Sequence, residues 1–139
     1  MTIEEIMTMW EEDSHIDDTD LDNESLKIPN IHQKYLNIYS KEKRKFSDLK
    51  THWKVLFQQR WEVVVSKNGK PPNHNIRISK SELEKYYVGA DESLQKAEKI
   101  LNEQEAKIEY LSKILSIVEN RSFHINNAIT WRKFVAGLG

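Results

Sequence analysis

The chain has 139 residues and a mass of 16.5 kDa, which is the size of a single domain. It is 38% hydrophobic and 31% charged with a mean hydropathy of −0.71, a balance that favours an elongated or oligomeric helical protein over a compact globule. With only 4 Gly, 3 Pro and no Cys, the composition excludes a turn-rich β-sandwich or barrel, a disulfide framework and a thiolate metal site.

The charges are segregated along the chain, although the net charge is only −1. Residues 1–40 hold 2 basic and 10 acidic side chains, a net charge of −8. Residues 41–80 hold 11 and 3, a net charge of +8, and residues 81–139 hold 8 and 9. The pattern predicts an anion-binding face beside an acidic region that could shield it or meet another protein. No secretion signal or bilayer-length apolar run is visible, so we expect a soluble protein without a membrane partner.

The first 24 residues are predicted to be an acidic N-terminal segment that opens with a short amphipathic helix. Its apolar residues are Ile3, Ile6, Met7 and Trp10. The acids that follow lack the glycine and terminal glutamate of a calcium loop. The five histidines never stand three or four residues apart, so no metal site or cofactor is predicted.

Residues 25–66 are predicted to form a long helical arm. Apolar residues recur at helical spacing, namely Ile31, Tyr35, Ile38, Phe46, Leu49, Trp53, Leu56 and Val63. Glu42 interrupts this stripe and Arg60 occupies it, at a position where an unpaired guanidinium is costly to bury. Two explanations for Arg60 are open: a Glu of another subunit pairs with it, or it lies where a phosphate can reach it.

A basic loop over residues 67–78 is predicted to end the arm, because Asn68-Gly69 and Pro71-Pro72 disfavour helix. A second long helix follows over residues 79–120, with a capping box at Ser79 or Ser81. Its apolar positions keep heptad spacing at Leu83, Tyr87, Ala90, Leu94, Ala97, Leu101, Gln104, Ile108, Leu111, Leu115 and Val118, where Gln104 is the one polar residue. Together the two helices predict an all-α, coiled-coil-like antiparallel hairpin.

The last segment, residues 121–139, is predicted to be a short C-terminal helix that mediates oligomerisation. Its apolar residues are Ile125, Ile129, Trp131 and Phe134. Two helices alone cannot bury these residues together with their own leftover apolar side chains. We therefore expect a homo-oligomer.

Lysines along the arm predict a nucleic-acid interface. At about 100° per residue, Lys43, Lys50 and Lys54 fall in one narrow sector beside the apolar stripe. This basic ridge could follow a phosphate backbone, with Trp53, Trp61 or Tyr87 as base-stacking platforms. A solvated helix face with core aromatics explains the same pattern. The absence of a Gly-rich phosphate loop and of a nucleophile elbow argues against an enzyme.

The chain also resembles the UvsY family of recombination mediators from large tailed phages. The resemblance is carried by Ile16-Asp17-Asp18-Thr19-Asp20-Leu21, by Lys34-Tyr35-Leu36-Asn37 with Ser40, by Lys54-Val55 leading to Arg60, and by Arg121-Ser122-Phe123-His124-Ile125 with Arg132, Phe134, Ala136 and Gly137. It implies a helical protein that forms a ring of about six or seven subunits, without enzyme activity, in the cytoplasm of the infected host. It further implies binding to single-stranded DNA, to a RecA-like phage recombinase and to the phage single-strand-binding protein, and loading of the recombinase onto covered strands.

In the family, a Leu-Lys-Ala-Arg-Leu element contributes to strand binding, and it falls here on residues 57–61. Arg60 matches the family's arginine, but Gln58 replaces its lysine and brings no charge, so we expect a weaker contact there. The family's C-terminal segment is associated with oligomer assembly. The predicted DNA-binding residues are Lys43, Lys50, Lys54, Gln58, Arg60 and Lys67. Two alternatives remain open, a coiled-coil scaffold that binds only proteins and a protein that packages duplex DNA.

Overall fold

The computed structural model describes residues 1–68 and 90–138, with side chains for residues 1–63 and 90–138. Across these residues the chain contains helices and no strand, which confirms that the fold is all-α. Helix α1 covers Ile3–Asp13, α2 covers Leu21–Asn68 and α3 covers Glu92–Val135. The predicted capping boxes at Ser79 and Ser81, and most of the predicted loop, lie outside the described residues.

Helix α1 begins with a capping box. The Thr2 hydroxyl accepts from the Glu5 amide and the Glu5 carboxylate accepts from the Thr2 amide, each at 3.1 Å. Of the apolar residues predicted to form its inner face, Ile6 is fully buried, whereas Met7 is exposed. The amphipathic helix predicted at the N-terminus is therefore present, with a narrower buried face than expected.

Helix α2 begins at Leu21, earlier than the predicted residue 25, and continues through Pro29. Proline has no N–H to donate to the carbonyl four residues earlier, which weakens a helix at that point. Contacts on both sides of Pro29 support the helix here: Lys27 Nζ lies 2.9 Å from Glu24 Oε1 before it, and Ile28 and Ile31, which flank it, pack against the core. Tertiary packing has outweighed the local preference of Pro29.

Helix α3 corrects the prediction of a separate C-terminal helix, because it runs without a break from Glu92 to Val135. This span contains no Gly or Pro, so nothing in the local sequence ends the helix at residue 120. The helix ends two residues before Gly137, whose φ of 74° lies in the left-handed region. The Leu138 amide donates to the Lys133 carbonyl at 2.8 Å and the Gly137 amide to the Phe134 carbonyl at 3.1 Å, which is a Schellman cap.

The chain divides into two compact units, which are described separately. The first, Met1–Lys43 with Ala106–Gly139, has a core of Ile6, Tyr35, Leu111, Ile114, Leu115 and Val118. In this unit His32 Nε2 lies 3.3 Å from Glu119 Oε1, and Lys107 Nζ lies 3.4 Å from Glu42 Oε2. The order of these partners shows that the α2 and α3 segments of this unit run antiparallel.

Buried residues of α3 in the first unit follow the predicted heptad spacing and continue beyond it, to Arg121 and Ile125. Arg121 Nη2 donates to the carbonyls of Asp13 at 2.9 Å and Ser14 at 3.1 Å. Its guanidinium also lies over the Trp10 ring, 5.5 Å from the centroid. Arg121 thus satisfies carbonyls at the C-terminus of α1 and holds that helix against α3.

The second unit, Arg44–Glu105, contains the C-terminal part of α2 and the N-terminal part of α3. Leu94 and Gln104 are buried, and Leu49, Trp53 and Leu56 are half-buried. Over the described residues, none of the three helices is both long enough and apolar enough to span a bilayer.

Candidate nucleic-acid interface

The cations between residues 41 and 54 of α2 are all exposed, and none forms an ion pair with a described residue. They are Lys41, Lys43, Arg44, Lys45, Lys50 and Lys54. Elsewhere, in contrast, Lys34 is paired with Asp13, Lys107 with Glu42 and Arg132 with Asp18. The stretch therefore carries positive charge that the described part of the chain leaves available to an anionic partner.

Lys43 is the last residue of the first unit. Its Nζ lies 5.5 Å from the centroid of the Tyr39 ring, a cation–π contact that steadies the side chain without neutralising it. Lys43 thus remains able to bind an anion.

Lys50 and Lys54 belong to the second unit, one helical turn apart on α2. Residues at this spacing lie on the same face of a helix, so both ammonium groups point to the same side. Neighbouring Leu49 and Trp53 are half-buried, which fixes the rotation of the helix and keeps the two lysines in solvent.

Arg60 has a partner that neither explanation from the sequence foresaw. Its Nε lies 2.6 Å from Oδ2 of Asp91 in the same chain. Burial raises the pKa of Asp91. Hydrogen bonds from Arg60 and the Leu94 amide, together with the positive charge of Arg60, lower this pKa by a larger amount. The net effect holds that pKa below its usual 3.8. The Asp91 carboxylate is therefore ionised at neutral pH.

Gln58 and Lys67, the other two predicted contacts, differ in what the structure says of them. Gln58 is exposed, and its amide donates to Glu62 Oε1 at 3.3 Å. This uses one of its two amide hydrogens and places a carboxylate beside it, which weakens the case for a phosphate contact. Lys67 lies in α2, but its side chain is outside the described residues.

Of the predicted base-stacking residues, the two that the structure describes, Trp53 and Trp61, are both half-buried. Trp53 stacks on Phe57 with ring centroids 5.3 Å apart and an interplanar angle of 28°. Its Nε1 is buried without a hydrogen-bond partner among the described residues. Trp61 is half-buried, and Tyr87 lies outside the described residues. The structure thus favours a packing role for Trp53.

The predicted oligomerisation residues divide into two groups. Ile125 is 2% exposed within a single chain, so it belongs to the chain's own core and we remove it from the predicted interface. Ile129 is half-buried, whereas Trp131 and Phe134 are 65% and 68% exposed. These two rings stack with centroids 5.7 Å apart.

Three exposed apolar residues near the end of α3 were missed by the sequence analysis: Phe123, Val135 and Leu138. Phe123 lies 11 residues before Phe134, three helical turns earlier and therefore on the same face. That spacing was the available signal, and it extends the exposed apolar surface toward the middle of α3.

The acidic residues between α1 and α2 are engaged in turn contacts. The Asp17 carboxylate accepts from the Thr19 amide and hydroxyl, Asp20 accepts from Asn23, and Asp18 pairs with Arg132. In the described part of the chain, no group of three or more His, Cys, Asp or Glu side chains is placed to hold a metal ion.

Comparison with known proteins gives one family and one fold. A family model described as recombination, repair and ssDNA binding protein UvsY matches residues 9–138. Crystal structures of the bacteriophage T4 recombination mediator protein UvsY share the fold. The lattice type II structure has a TM-score of 0.83 at 24% identity, covering 98% of each chain. The lattice type IV structure has a TM-score of 0.79 at 22% identity, covering 96% of this chain and 98% of the other. No curated protein matches the sequence.

Proposed function

Because the chain belongs to the UvsY family of recombination, repair and single-stranded-DNA-binding proteins, we propose that it binds single-stranded DNA through the cations of α2. The proposed contacts are Lys43, Lys50, Lys54 and Arg60, with Lys67 as a further candidate. Gln58 is retained only as a weak, uncharged contact. In this role the protein helps a RecA-like phage recombinase to load onto strands covered by single-strand-binding protein, in the cytoplasm of the infected host.

The observation that carries the proposal is the set of exposed cations between residues 41 and 54, which lack ion pairs with described residues. Phosphate contacts supply most of the sequence-independent affinity for nucleic acid, because each one releases condensed counterions. A lysine whose ammonium is already paired with a carboxylate of its own chain would lose that ion pair on binding. Lys50 and Lys54, which have no ion pair with a described residue, avoid this cost, so they are the strongest candidates.

Oligomerisation would raise the affinity that one protomer alone provides. We propose a ring of about six or seven subunits, assembled through the exposed Trp131 and Phe134 with Ile129. Once one protomer has bound a strand, the contacts of its neighbours become intramolecular, and many weak contacts then give tight binding. Such a ring would hold the strand in a bent or wrapped form.

Mediation follows from competition for a shared ligand and requires no hydrolysis. By binding phosphates, the protein weakens the hold of the single-strand-binding protein on the same strand. If the recombinase prefers the strand geometry that the mediator imposes, its affinity for the strand rises. This difference in affinity is a coupling free energy between the mediator and the recombinase, which bind the same strand.

Fluorescence anisotropy of a labelled oligo-dT strand, measured against salt concentration, tests the site. The variant Lys50→Ala with Lys54→Ala removes two exposed cations of α2. Its matched control, Lys96→Ala with Lys99→Ala, removes two exposed cations of α3 in the same unit. At about 0.7 per phosphate contact on single strands, we expect the slope of log K against log salt to fall by roughly 1.4 in the α2 variant only.

Equal losses in the two variants would show that overall charge, and not a site on α2, governs binding. Competition with unlabelled duplex DNA and heparin separates the alternatives. A protein-binding scaffold would show no preference for the flexible strand, and a duplex-packaging protein would prefer the duplex.

A further inference from the structure

We propose that Asp91 is a positioning residue, which holds the Arg60 guanidinium in the orientation that presents it to a DNA phosphate. The inference rests on the proposed function, since it assigns a second residue to the same site. It depends on the geometry of the Arg60–Asp91 pair and on the place of Asp91 in the fold.

Asp91 is itself held in place by the start of α3. It directly precedes Glu92, the first residue of the helix. Its Oδ1 accepts from the Leu94 amide at 3.2 Å, and its carbonyl accepts from the Gln95 amide at 3.0 Å. These are the bonds of a helix N-cap. One carboxylate oxygen is thus fixed by the backbone, and the other is left to bind Arg60.

Among the described residues, only Asp91 holds Arg60, and it does so at one edge of the guanidinium. Its Nε donates to Asp91 Oδ2 at 2.6 Å, and its terminal Nη atoms have no hydrogen bond to a described residue. The side chain is 41% exposed. A guanidinium has five N–H donors in a rigid planar fork, so four have no partner among the described residues and can bind a phosphate. Because the Nε bond already restricts a flexible side chain, less conformational entropy is lost when the phosphate binds.

The proposal predicts a change in DNA affinity opposite to the one that simple electrostatics predicts. Asp91 is an acid near a surface that binds a polyanion, so electrostatics alone predicts that removing its charge strengthens DNA binding. If Asp91 positions Arg60, removing its charge weakens binding. Asn and Ser are both good N-cap residues, so Asp91→Asn and Asp91→Ser keep the helix cap while removing the charged acceptor of Arg60.

The test compares oligo-dT affinity and salt slope in Asp91→Asn, Asp91→Ser, Arg60→Ala and the double variant Asp91→Asn with Arg60→Ala. Asp48→Asn is the matched control, because Asp48 is an exposed acid on α2 of the same unit. Circular dichroism establishes that each variant is folded. We expect Asp91→Asn and Asp91→Ser to weaken binding about three- to tenfold, with a shallower salt slope, and Asp91→Asn to cause no further loss once Arg60 is absent.

Other outcomes separate this inference from the function on which it rests. Tighter binding by Asp91→Asn, at the level of Asp48→Asn, would overturn the positioning role, as would an equal loss in the Arg60→Ala background. If Arg60→Ala binds normally while Lys50→Ala with Lys54→Ala does not, the proposed function stands and the role of Asp91 is refuted. If the wild-type chain does not bind oligo-dT, both fail.

Discussion

Asp13 joins α1 to α2 through two hydrogen bonds to the same carboxylate oxygen. Oδ2 accepts from Lys34 Nζ at 2.7 Å and from the Tyr35 hydroxyl at 2.8 Å. Partial burial raises the pKa of Asp13. These two hydrogen bonds and the charges of Lys34 and Arg121 lower the pKa by a larger amount, so that it lies below its usual 3.8. Burial and Asp13 together raise the pKa of Tyr35, which keeps that hydroxyl protonated as a donor.

We predict that Asp13→Asn lowers the free energy of unfolding by about 1–2 kcal/mol at pH 7. A lowered folded-state pKa stabilises the protein above the unfolded value of about 3.8, and this contribution is lost as pH falls through the folded value. Urea titrations from pH 7 to pH 2.5, at one protein concentration, should show the difference between wild type and variant shrinking below pH 4. A difference that stays constant to pH 2.5 would contradict this role.

Arg60 and Glu42 show what a single sequence conceals at the scale of the residue. Both lie at positions of the apolar stripe of α2, where the sequence pattern shows only that a charged residue replaces an apolar one. Their partners, Asp91 and Lys107, lie 31 and 65 residues away. Spacing identifies the face on which a residue lies, but it does not identify the charged group opposite. The exposure of Lys43, Lys50 and Lys54 does not depend on a distant partner. It could therefore be predicted from their position beside the apolar stripe of α2.

At the scale of the element, α3 offers a matched pair for testing its orientation. Ile114 is 1% exposed in the core, whereas Ile117, three residues later, is 51% exposed. Ile114→Ala should lower the free energy of unfolding by about 2–5 kcal/mol, since it removes buried methyl groups and leaves a cavity. Ile117→Ala should cost under about 1 kcal/mol. Equal losses in urea denaturation would show that the assigned face of α3 is wrong.

The ion pair between Glu42 and Lys107 places charge within the packed surfaces of α2 and α3. Both side chains are nearly buried. Glu42→Ala leaves the Lys107 ammonium without this partner, so we predict a loss of about 2–4 kcal/mol in unfolding free energy. Replacing both by Leu removes the desolvation cost as well and should restore stability to near the wild-type value. A double variant less stable than Glu42→Ala would contradict this explanation.

The extent of the elements was less predictable than their burial pattern. Heptad spacing identified Leu94, Leu111 and Val118 as inward-facing, and these residues are buried. The helix boundary predicted at residue 120 does not exist, and α2 begins at Leu21 rather than at residue 25. Local propensity is weak beside tertiary packing: Ile28 supports α2 through Pro29, and Arg121 continues the buried face of α3 through contacts with α1, which lies more than 100 residues earlier.

At the scale of the whole molecule, the exposed Trp131 and Phe134 are the residues proposed to join subunits. Truncation at residue 120 would also remove Arg121 and Ile125 from the core, so point substitutions test the interface more cleanly. We predict that Trp131→Ser with Phe134→Ser lowers the mass in sedimentation velocity while helicity is unchanged. The control Leu26→Ser alters an apolar residue on α2 that is similarly exposed. Unchanged mass in the double variant would refute the assignment.

The ring-based account of single-stranded DNA binding is tested most directly by native mass spectrometry of the full chain, with and without an oligo-dT strand. It predicts an assembly of about six or seven copies of the 16.5 kDa chain that gains the mass of bound oligonucleotide at low ionic strength. A monomer that gains no oligonucleotide under the same conditions would contradict it.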